Sequence, residues 1–200
     1  MTHARKLLHA VCFVASLVTL VTVLIVASPC RAVAFDTAND SWWVLGGYGQ
    51  SVPGWGKTTE RVETIDLVIR YNHLIFDEIG NDWYQGFHSI LVELPVHLVV
   101  SPDESAMVGV NFLAAYTFTA DERWRPYLFA GGGPVYSFAD IPGMGADLNG
   151  NYQGGVGLEY QLDDQQRLLV ELRYHHISNA GSEDPNVPLN SGKFLIGVRF

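Results

Sequence analysis

Cysteine is nearly absent from this 200-residue chain: there are two, Cys12 and Cys30, and both fall within the first 34 residues. If that segment is removed no thiol remains, which excludes a structural disulfide, a thiolate zinc site and a cysteine nucleophile together. Charge is scarce too, at 16% of residues against an ordinary share of about 25%. The charge present is mostly acidic. Arg5, Lys6 and Arg31 are the only charged residues before position 35, so 9 Lys and Arg stand against 21 Asp and Glu in the remainder, a net of −12. A basic surface for nucleic acid is therefore missing, and nucleic acid is not an expected partner. The Ala, Glu, Lys and Leu dominance of a coiled coil or helical bundle is missing as well. Beyond residue 34 no apolar stretch approaches the length of a membrane-spanning helix. Abundance lies elsewhere, in 20 glycines and 12% aromatic residues, a composition incompatible with disorder.

The amino-terminal segment carries its own message. Arg5 and Lys6 precede an apolar run of 21 residues from Leu7 to Ala27, and Ala32-Val33-Ala34 supplies small residues at alternate positions. This is the order of a secretory signal peptide, with cleavage expected before Phe35. The run is long enough to serve instead as an uncleaved anchor. A lipoprotein signal at Cys30 is disfavoured because Pro29 occupies the place of a small residue. The expected organisation is a signal peptide over 1–34 and one domain over 35–200.

That domain alternates with period two. Ile65, Leu67, Ile69, Tyr71 and Ile75 share one parity, with Asp66, Arg70 and Asn72 on the other. Ile90, Val92, Leu94, Val96 and Leu98 repeat the pattern, as do Val108, Val110, Phe112, Tyr116 and Phe118. Period two over such lengths predicts β-strands, at about 42–50, 62–76, 84–99, 106–118, 125–138, 151–162, 167–178 and 191–200. Eight strands, one face apolar and the other mixed, predict an all-β, antiparallel up-and-down barrel. A soluble periplasmic lipocalin-like binder would turn the apolar face inward; a transmembrane barrel of the outer membrane would turn it outward. Arg70, Glu93, Glu159, Glu171 and Arg173 on the mixed faces favour the second, and so do strands of ten or more residues. A last strand that alternates Phe194, Ile196, Val198 and ends on Phe200 looks like the assembly signal of bacterial outer-membrane barrels.

Reactive side chains concentrate in Tyr174-His175-His176-Ile177-Ser178-Asn179-Ala180-Gly181. Leu168, Val170, Leu172 and Tyr174 set the apolar parity of the seventh predicted strand, and counting on by twos reaches His176 and Ser178. An imidazole and a hydroxyl two residues apart on the lipid-facing side form a base–nucleophile pair if their side chains lean together. The competing reading is ordinary polar residues at a strand end. His175 and His176 point to opposite faces and cannot share a metal ion without distortion. His73, His88 and His97 are expected in the lumen, the interface or loops.

His176-Ile177-Ser178-Asn179-Ala180-Gly181, then Pro185-Asn186, then the strand closing on Gly197-Val198-Arg199-Phe200, resembles the lipid A 3-O-deacylases of Gram-negative outer membranes. Arg125-Pro126-Tyr127 leading into Ala130-Gly131-Gly132-Gly133-Pro134 is compatible with that family's fifth strand. The resemblance implies a serine esterase that removes the ester-linked acyl chain at position 3 of lipid A, a site facing the bilayer, and no metal or organic cofactor. It leaves room for a homodimer. By matching position it makes His176 the base and Ser178 the nucleophile, with Asn179 and the amides near Ala180 and Gly181 stabilising the oxyanion. The family's third member is an acid twelve residues after the serine; this chain has Asn190 there. An amide oxygen can fix a histidine tautomer but stabilises imidazolium less well than a carboxylate, and Glu183 or Asp184 are alternatives from the same loop. A non-catalytic small barrel with an adhesive or structural role is the competing function.

Overall fold

The computed structural model describes residues 39–163 and 166–199. The expected signal peptide and the terminal Phe200 lie outside these residues. The described chain is a closed antiparallel β-barrel built from β1 (Asp40–Ser51), β2 (Glu63–Leu74), β3 (Gly86–Ser101), β4 (Ser105–Gly109), β5 (Asn111–Phe118), β6 (Trp124–Ser137), β7 (Leu148–Gln161), β8 (Arg167–Ser178) and β9 (Leu189–Arg199). Each strand pairs with its sequence neighbour, apart from β4 and β5, which share one place in the wall, and β1 closes on β9.

Nine segments make eight barrel strands. The predicted strand over 106–118 is interrupted at Val110, and β4 and β5 both pair with β3 on one side and β6 on the other. The cause is across both ladders: Pro95 of β3 falls opposite Gly109 without an N–H to give. Val110 donates its N–H to the Pro134 carbonyl at 3.1 Å, and proline has no N–H to return.

Alternation sorts the side chains as the apolar parity predicts. Leu67, Leu94, Phe112, Leu128, Val156, Leu172, Phe194 and Ile196 all point outward and are exposed. Water-soluble monomers rarely expose an apolar belt that runs round every strand, and this one matches the lipid-facing band of a transmembrane barrel. The soluble lipocalin-like alternative is thereby set aside.

The lumen is filled, not open. Trp43, Leu45, Leu91, Leu113, Tyr127, Phe129, Leu169 and Leu195 form a buried apolar cluster. Beside it, Arg70 and Arg173 alternate with Glu93 and Glu171: Arg70 Nε donates to Glu93 at 2.9 Å, Arg70 Nη2 to Glu171 at 2.5 Å, and Arg173 Nη1 to Glu93 at 2.9 Å. Arg173 also bonds Glu171, and the Tyr127 hydroxyl donates to the same carboxylate. Two cations meet two anions, so the burial leaves no net charge, the condition under which such groups tolerate loss of water. Gly157 makes the room: a Cβ there would collide with the Tyr127 ring. Nearer the end that carries loops 52–62 and 179–188, Lys193 Nζ bonds Asp66 at 2.8 Å and His97 at 3.0 Å.

Candidate active site

The last turns of β8 carry the outward parity past Tyr174 to His176 and Ser178, while His175 points inward and is 2% exposed. Ladder register sets Asn190 of β9 directly opposite His176 and Tyr152 of β7 on its other flank. Three side chains thus converge on the outer wall. His176 Nε2 lies 3.1 Å from Ser178 Oγ, and His176 Nδ1 lies 2.7 Å from Asn190 Oδ1. The two-residue step along a pleated strand turns both side chains to one side, which is why so short a segment holds both.

Asn190 is buried, and all its amide positions are used. Its oxygen accepts from His176 and from the Tyr174 hydroxyl, the latter at 2.5 Å. Its nitrogen donates to the Trp55 carbonyl at 2.8 Å and to Thr58 Oγ1 at 2.9 Å. Trp55 also packs edge-on to Tyr174, ring centroids 5.2 Å apart. The loop 52–62 therefore folds over Asn190. Nothing in the local sequence of that loop marks it for this role, because Thr58 and Asn190 are 132 residues apart in the chain.

The remaining expected residues are placed differently. Asn179 is buried, donates through Nδ2 to the Glu183 carbonyl at 2.7 Å and accepts at Oδ1 from the Gly181 N–H at 2.8 Å. Both its oxygen and the Gly181 N–H are thus committed to shaping the turn, in which Ala180 takes a positive φ of 54°. Glu183 and Asp184 are exposed, and the position at His176 Nδ1 that either could have taken is filled by Asn190. His97 is lumenal, His73 bonds Asp40 at 2.6 Å at the opposite end, and His88 packs edge-on against Tyr116 on the outer wall.

Two clefts open on the outer wall beside these groups, one on each side of Tyr174. One, of about 610 Å³, runs over Ala130, Gly132, Tyr152 and Tyr174. The other, of about 550 Å³, runs over Gly154, Val156, Leu172, Gly192 and Phe194. Gly154 and Gly192, whose missing side chains would stand clear of neighbouring backbone, open the second. A hydroxyl hydrogen-bonded to an imidazole whose far nitrogen is held by an oxygen is the arrangement that nucleophilic acyl transfer needs, and the clefts adjoin it through Tyr152, opposite His176, and Tyr174, bonded to Asn190.

Fold and site together define an outer-membrane β-barrel whose reactive groups lie on its lipid-facing wall. The family model for lipid A 3-O-deacylase (PagL) matches residues 66–199, and the chain belongs to that family. Among solved structures, the outer membrane enzyme PagL superposes with a TM-score of 0.52 at 16% identity, over 79% of this chain and 97% of that one. Neisserial surface protein A (NspA) superposes with a TM-score of 0.54 at 15% identity, over 80% and 95%. At these identities the superpositions speak for the fold alone. No curated protein matches the chain.

Proposed function

We propose that this protein is an outer-membrane serine esterase that removes the acyl chain esterified at position 3 of lipid A. Family membership supports the substrate. The observation that carries the reading is the outward chain from Ser178 through His176 to Asn190, at 3.1 and 2.7 Å, beside clefts fit for an acyl chain. With the Arg199 end of β9 toward the periplasm, loops 52–62 and 179–188 lie outside the cell and the site in the outer leaflet, where lipid A resides.

In this mechanism Ser178 Oγ attacks the ester carbonyl while its proton passes to His176 Nε2. The tetrahedral oxyanion collapses, and His176 returns the proton to the departing sugar hydroxyl, leaving an acyl-serine. Water then attacks, giving its proton to His176, and Ser178 is released with the free 3-hydroxy fatty acid. Asn190 accepts the Nδ1 hydrogen throughout and keeps the ring in register. Asn179 has one Nδ2 hydrogen beyond the bond to Glu183, and with the Ala180 N–H it is the donor set we assign to the oxyanion. The clefts hold the acyl chain, so that binding orients the ester.

Mass spectrometry of lipid A from cells with and without the protein tests the reading. Loss of one 3-hydroxyacyl mass with the protein, and not with Ser178→Ala, is expected. Unchanged lipid A beside an assembled barrel would instead identify a non-catalytic barrel.

A further inference from the structure

A carboxylate presents the same atom whichever way it faces; an amide does not. Only one orientation of the Asn190 side chain makes His176 a base. With Oδ1 toward the ring, the proton sits on Nδ1 and Nε2 offers its lone pair to the Ser178 hydroxyl. With the NH₂ toward the ring, Nδ1 becomes the acceptor, the proton moves to Nε2, and His176 donates to Ser178 instead of taking its proton.

We propose that Thr58, with the Trp55 carbonyl, is a positioning residue that orients the Asn190 amide and through it selects the tautomer of His176; this rests on the reading of Ser178, His176 and Asn190 given above. Thr58 is 3% exposed, and its hydroxyl donates its single hydrogen to the Pro188 carbonyl at 3.0 Å. It can then only accept, and it accepts from Asn190 Nδ2 and from the Asn190 N–H, both at 2.9 Å. The Trp55 carbonyl has no hydrogen to give and accepts from Asn190 Nδ2 at 2.8 Å. Two obligate acceptors draw the NH₂ to the loop. Reversal would set Oδ1 against both, in a buried place where an unmatched polar atom is disfavoured.

The loop is built to hold those acceptors still. Gly54 donates to the Thr58 carbonyl at 2.9 Å, and Thr58 donates its N–H to the Trp55 carbonyl at 3.3 Å, closing the turn on itself. Gly56 adopts a φ of +61°, and a Cβ there would come within 3.1 Å of Asn190 Nδ2. The turn thus presses against the nitrogen side of the amide. The orienting information that an acid would not require is supplied from the far side of the β1–β9 seam.

The test reads the tautomer directly. The ¹⁵N shifts of the His176 imidazole are measured in detergent micelles without lipid, so the result judges this proposal whether or not the protein deacylates lipid A. The unaltered protein is expected to show the Nδ1–H form; an Nε2–H form would overturn the proposal outright. Thr58→Val keeps the shape and removes the acceptor; it is expected to populate the Nε2–H form and to lower kcat on lipid A in mixed micelles about tenfold or more, as a wrong tautomer does, with KM within about twofold. Thr58→Ser is expected to restore both. A Thr58→Val protein with the original tautomer and kcat would show that the loop carries no orienting role.

Discussion

At the scale of single residues, the proposed function divides the site into groups that would react and groups that would aim them. Ser178→Ala and His176→Ala should each reduce release of the 3-linked chain by on the order of 10³-fold or more, and the double variant should be little worse than either, because the pair works as a unit. His175→Ala is the control: its ring lies in the lumen 5.3 Å from that of His97, and quantitative lipid A spectra should show activity far closer to the parent. Asn190 yields a less intuitive expectation. From the sequence alone an acid at this position looks superior. In the folded protein, however, Asn190→Asp would turn a second oxygen toward the Trp55 carbonyl and Thr58, where the amide now donates. Turnover should therefore fall about tenfold, from a mismatch of about 1–3 kcal/mol, and initial rates near neutral pH would reveal a gain if the loop instead adapts to a carboxylate. Strand parity makes the shared face of His176 and Ser178 legible in the sequence, and the family resemblance, not parity, points to Asn190, one residue before the predicted start of the last strand. The partners of Asn190 are not legible there, since nothing local records a contact that spans 132 residues.

At the scale of elements, the outer wall from β6 to β9 is shaped by what it omits. Gly154 and Gly192 leave the groove below His176, and a Cβ at Gly192 would meet nothing within 4 Å. Gly192→Leu should accordingly assemble normally yet fill the groove with a side chain. Its expected signature is a KM for lipid A raised several-fold with heat-modifiable gel mobility unchanged; an unaltered KM would place the acyl chain in the cleft over Gly132 instead. Period-two alternation identifies the eight barrel strands to within a few residues at most of their ends. The gap at Val110 escapes it because alternation continues across the interruption; the cause is missing hydrogens in both neighbouring strands, on Pro134 of β6 and on Pro95 of β3. Likewise the apolar parity locates the outer face, but the grooves depend on which glycines become neighbours across the ladder, a property of register.

At the scale of the molecule, the barrel joins a lipid-facing exterior to a lumen sealed by compensated charge. Arg173 bridges Glu93 and Glu171 while buried, and its loss would leave two carboxylates with one cation. Arg173→Ala should cost on the order of 3–5 kcal/mol, read as a lower denaturant midpoint in tryptophan fluorescence of refolding in micelles; an unchanged midpoint would mean that water enters and screens the pair. The individual members of this network stand out in the sequence as charges on otherwise regular strands, yet their pairing across the lumen does not, because it depends on barrel closure. The position of Ser178 and His176 on the outer wall has one more consequence, which concerns how substrate arrives. A site that opens sideways into a leaflet is supplied by lateral diffusion in two dimensions, so its rate should track the mole fraction of lipid A among the surrounding amphiphiles and not its bulk molarity. Diluting the micelles with buffer should leave the rate per enzyme unchanged, whereas diluting lipid A with inert detergent at constant bulk concentration should slow it.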